Sequence, residues 1–168
     1  MEGVFFILIG GALLAQSWYV LGLYSEGRTM GVFVGGLGLL GLATITFTPM
    51  LLTGTPATSD ALSETTVFKT LVLIWALYCI GVAANGLFDF DERAVGFYAA
   101  FLSVATAVPF LDYAIALAPK SRYSDAVWLS LSGATLTLSV LAAIVFFYLA
   151  FQFNVLRLVA GWFLLLGS

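Results

Sequence analysis

Residues 3–24 read GVFFILIGGALLAQSWYVLGLY, a run without one charged side chain. Coiled as an α-helix, such a run rises about 33 Å, enough to cross a hydrocarbon layer about 30 Å thick. It does not alternate in polarity, as a strand of a membrane barrel would. In lipid the backbone must satisfy its own polar groups, which leaves a helix as the form for this segment. The run follows Glu2 directly and has no basic leader, so the pattern of a cleavable signal is absent and the segment is expected to be a span.

Working outward, five further apolar runs follow, at 30–53, 66–87, 94–117, 125–150 and 154–167. Short polar breaks separate the first four runs: Ser25-Glu26-Gly27-Arg28, the connection GTPATSDALSET at 54–65, and Asp89-Phe90-Asp91-Glu92-Arg93. Pro119-Lys120-Ser121-Arg122 precedes the fifth, with Ser124 placed as an N-cap before Asp125. The last break is weak, since only Gln152, Asn154 and Arg157 interrupt the apolar residues between Gly133 and Gly161. The expected fold is an all-α integral membrane protein, one domain over 1–168, with six transmembrane helices of which the last is short. Five spans, the last one long and protruding, is the alternative.

Composition agrees with the bilayer. Apolar residues make up 62% of the chain and charged residues 9%, more apolar surface than a soluble fold of this size can hide. With no histidine and a single cysteine, the chain alone offers no metal or haem site. The net charge of −3 is spread over the breaks, against a nucleic-acid partner. No nucleophile stands beside a base, so no enzyme and no cofactor are expected. Basic residues tie across the two sides, Arg28, Arg93 and Arg157 against Lys69, Lys120 and Arg122, and do not set the orientation.

Polar residues inside the runs need a reason. Gln16, Asn85 and Thr106 are isolated, and each is expected to find a partner across the bundle, as structure or as part of a pathway. Trp128, Ser132, Thr135 and Ser139 recur at helical spacing on one face of the fifth run. Ser and Thr so placed either bond to the preceding turn or line a narrow path. Asp112 is the one carboxylate well inside a run. Gly31 and Gly35 form a GxxxG pair in a glycine-rich second run, the pattern that lets two helices approach closely.

Three stretches resemble the AmiS/UreI family of small six-span channels for urea and short-chain amides. FILIGGALLAQSWYVLGL is similar to the family's first helix, with Gly10 and Gln16 in place and Gln where Asn is usual. MGVFVGGL at 30–37 is close to N-x-FVGGL, with Gly31 at the Asn position. FDERAVGFYAAFLSVATAVPF at 90–110 looks like LD-x-R-x-x-GWY-x-LF-x-x-x-x-AVPA, keeping Asp91, Arg93, Gly96, Tyr98 and Pro109 in register.

The resemblance implies passive transport without a cofactor, in a homo-oligomer, typically a hexamer, whose protomers each form their own pore. It places Gln16, Asn85, Thr106, Trp128, Ser132, Thr135 and Ser139 along that path, in a lipid bilayer expected to be a prokaryotic inner membrane. The departures are as informative. The family's tryptophan ladder on helix five is compared with Trp128, Ser132, Thr135 and Ser139, so three rungs are small hydroxyls. A carboxylate early in helix six is compared with Leu166. Without histidine, His-based acid gating is excluded. These departures keep open a second reading, a non-conducting accessory subunit in a hetero-complex with other membrane proteins.

Overall fold

A computed structural model describes residues 2–23, 26–51, 59–116, 125–151 and 154–168, and among these residues the only regular structure is helix. In chain order the helices are α1 (Glu2–Leu21), α2 (Gly27–Leu51), α3 (Ser59–Phe88), α4 (Glu92–Ala116), α5 (Asp125–Phe151) and α6 (Asn154–Gly167). The first five carry stretches long and apolar enough to cross a membrane, and α6 holds a shorter apolar stretch, Leu156–Gly167. The chain is an integral membrane protein of six helices with a short last one. Ser124, Lys120, Arg122 and Gln152 lie outside the described residues or the described side chains.

Helix ends follow local chemistry. Gly22 takes φ +75° at the end of α1, where the Gly22 and Leu23 amides donate to the Tyr19 and Trp18 carbonyls at 3.0 Å each. That doubly bonded stop requires a left-handed residue, which glycine supplies without a Cβ penalty. Asp89 ends α3 in the same region with φ 53°. Asp91 then caps α4, its Oδ1 accepting from the Arg93 amide at 3.0 Å, as an N-cap aspartate does. The charged hinge of the sequence is thus a tight turn between two spans.

One boundary differs from expectation. The polar stretch 54–65 is not all connection, because α3 begins at Ser59. Ser59 is followed by Asp60 and then Glu64, acidic residues that favour the positive end of a helix macrodipole. The helix therefore begins several residues before the apolar run that starts at 66.

Each helix packs on its neighbours in sequence and α6 returns to α1, so the six close into a ring in chain order. Arg157 fastens the closure, its Nε donating to the Val20 carbonyl at 2.8 Å. That carbonyl belongs to the last turn of α1, which lacks intrahelical donors and attracts a cation. The α2–α3 and α4–α5 contacts are extensive and the α3–α4 contact is slim. Glycine explains the first two. A Cβ at Gly35 would stand 2.7 Å from the Ala83 Cβ, one at Gly38 2.8 Å from the Cys79 Cβ, and one at Gly96 2.7 Å from the Ala150 backbone nitrogen. The GxxxG pair Gly31 and Gly35 is therefore spent on α3.

Gly35→Ala should lower the melting temperature in detergent, with a cost of about 1–3 kcal/mol from overpacking. Adding Ala83→Gly should remove most of that cost. Equal penalties in both backgrounds would show that the two positions do not meet.

Candidate functional site

Polar side chains inside the ring pair across helices. Gln16 of α1 meets Tyr78 of α3, its Nε2 donating to the phenol oxygen at 2.8 Å while the hydroxyl lies 3.1 Å from Oε1, to which it donates. Trp75 donates from Nε1 to Thr106 Oγ1 of α4 at 3.2 Å, and Thr106 donates to the Leu102 carbonyl at 2.7 Å. Ser103 of α4 and Ser139 of α5 each donate to the other's backbone carbonyl, at 2.9 and 2.8 Å. Buried polar groups in lipid have no water to fall back on, so such pairing is what makes them tolerable. Around them Leu13, Trp75, Leu102 and Leu141 are fully buried and fill the interior.

The slim α3–α4 seam holds a recess of about 390 Å³. The α3 wall is Leu77, Tyr78, Gly81, Ala84 and Asn85, and the α4 wall is Ala94, Val95 and Tyr98, with Phe90 and Asp91 of the turn at its rim. Both walls follow the helical repeat, so these are the faces two packed helices would press together. Gly81, Ala84 and Ala94 offer little side chain to fill the space, and a Cβ at Gly81 would meet nothing within 4 Å. Deeper along the seam, the Tyr98 hydroxyl donates to the Ile74 carbonyl at 3.0 Å and ties α4 to α3.

The residues singled out in the sequence fall into three groups. Gln16, Thr106, Ser132, Thr135 and Ser139 are buried, and Thr135 donates to the Ser132 carbonyl at 3.1 Å. Asn85 stands apart on the recess, and its Oδ1 is buried with no partner, which corrects the expectation of a partner across the bundle. Trp128 and Asp112 fall outside the residues whose side chains are described. Leu166 stands in the last turn of α6, so it does not mark the place of a carboxylate early in a helix. The partners Trp75, Tyr78 and Ser103 were not singled out. The available signal was an aromatic or hydroxyl donor within a span, which needs a partner when buried.

No family model matches the sequence, and no curated protein matches it. Among solved structures, the cryo-EM structure of the Helicobacter pylori urea channel in its closed state superimposes with a TM-score of 0.70 at 18% identity. The match covers 99% of this chain and 90% of that one. This chain shares the fold of a urea channel. At that identity the likeness is one of architecture, and all six helices take part in it.

A double-mutant cycle on Gln16→Leu and Tyr78→Phe should give a coupling of about 0.6–1.7 kcal/mol, the range for hydrogen bonds between membrane helices. Additive effects on unfolding would mean that the two side chains do not stabilise one another.

Proposed function

We propose that this chain is a passive channel of the AmiS/UreI type for urea or short-chain amides, in a homo-oligomer within a prokaryotic inner membrane. It performs no catalysis. The observation that carries this reading is a closed six-helix ring, shared in fold with a urea channel, whose buried polar side chains are uncharged among the described residues. Gln16, Tyr78, Trp75, Thr106, Ser103 and Ser139 supply that polarity. A neutral solute such as urea pays its largest cost on leaving water, and hydrogen-bonding groups along a confined path lower that cost without attracting ions.

Gln16, Thr106, Ser132, Thr135 and Ser139 are the path's polar groups in this reading, with Asn85 near one end. Trp128 belongs to the same helical face by spacing. Small hydroxyls on that face make a wider path than an aromatic ladder would. The accessory-subunit reading draws on a different observation, the packing of Leu13, Trp75, Leu102 and Leu141 across the ring.

Native mass spectrometry of the purified protein separates the two readings. A homo-oligomer supports the channel, and a fixed complex with unrelated subunits supports the accessory role. Within the channel reading, Gln16→Leu should slow urea entry into proteoliposomes about tenfold, the effect of one lost hydrogen bond of about 1.4 kcal/mol. Unchanged entry through a folded variant would remove Gln16 from the path.

A further inference from the structure

Asn85 is costly where it stands. A buried acceptor left without a donor costs about 1–3 kcal/mol, and Oδ1 of Asn85 is in that state. The residue also lines the recess at the α3–α4 seam, within one turn of the end of α3 at Phe88. A solute arriving from water therefore reaches it without crossing the hydrocarbon.

The other polar groups on that wall are largely committed. Tyr78 gives its proton to Gln16 and accepts from it, and Tyr98 gives its proton to the Ile74 carbonyl. Asp91 at the rim is a carboxylate, already accepting the Arg93 amide through Oδ1, and offers acceptors only. What remains uncommitted is the Asn85 carboxamide, with its oxygen unmet, and an acceptor-rich rim. A carboxamide is self-complementary: its oxygen accepts an N–H while its own N–H donates to a carbonyl, closing two parallel hydrogen bonds with another primary amide. Acceptors at the rim favour the same class of solute, one rich in N–H.

We propose that the Asn85 carboxamide recognises the solute, pairing with the CO–NH2 edge of urea or a primary amide held in the α3–α4 recess. The choice of solute rests on the channel reading, while the site rests on the recess and its orphaned oxygen. Oδ1 is buried when no solute is present, so the amide turns about its last torsion to present both its oxygen and its N–H to the solute.

The test uses three planar molecules of nearly equal size on the full-length protein in detergent. Urea carries four N–H hydrogens, acetamide two and acetone none. Saturation transfer to the acetamide methyl should appear with the wild-type protein, and urea should displace it while acetone at the same concentration should not. Asn85→Leu removes the orphaned oxygen, so it should fold at least as well as wild type and bind acetamide about tenfold more weakly. Should Asn85→Leu not assemble, Asn85→Ala is read in the same way.

Undiminished acetamide binding by the variant, displacement by acetone equal to that by urea, or no transfer with wild type would each overturn the assignment. The channel reading fails separately. A protein that shows this displacement pattern but carries no urea into liposomes keeps the site and loses the channel. Urea passage with unaltered binding by Asn85→Leu does the reverse.

Discussion

In hydrocarbon no hydrophobic effect draws one helix to another, so the ring depends on close backbone approach and on hydrogen bonds between helices. Glycine supplies the approach. Gly31, Gly35 and Gly38 bring α2 onto Ala83 and Cys79 of α3, and Gly96 brings α4 onto the backbone of Ala150. Hydrogen bonds supply the ties: Gln16 to Tyr78, Trp75 to Thr106, and the reciprocal pair of Ser103 and Ser139. Arg157 completes the circuit by bonding to a carbonyl that the end of α1 leaves unmet.

The same economy explains where the ring is weak. Where small residues of one helix meet the backbone of another, as in α2–α3 and α4–α5, the pair is tight. At the α3–α4 seam the lining includes Gly81, Ala84 and Ala94, and the space between the helices stays open. The one tight turn that joins these helices, from Asp89 to Asp91, holds their ends together. Below it, Tyr98 bonding to the Ile74 carbonyl closes the seam again. A recess thus lies between two fixed points, with Asn85 on its wall.

Much of the fold was legible because lipid permits few solutions. Apolar runs of bilayer length with few charges, broken at Glu26, Asp89 and Arg93, place the helices to within a few residues. The exception is the stretch 54–65, where polarity was read as loop although the helix already begins at Ser59. The break between α5 and α6 was weak in sequence, and the ring settles it by turning α6 back onto α1. Helical spacing grouped Ser132, Thr135 and Ser139 on one face, and all three are buried. The partners were not legible. Tyr78 and Gln16 are 62 positions apart and Thr106 and Trp75 are 31 apart, and only the ring brings them together. Nor does any sequence pattern mark Asn85 as the residue whose oxygen is left without a partner, since that depends on how α3 and α4 pack.

The central claim is that this ring conducts a neutral, planar, polar solute down its gradient. Light scattering from vesicles holding the purified protein, mixed rapidly with an inward and then an outward urea gradient, tests it most directly. The account predicts urea passage well above that of protein-free vesicles, equal in both directions and unaffected by a membrane potential. Passage indistinguishable from that of protein-free vesicles, by a protein shown to be folded and inserted, would contradict it.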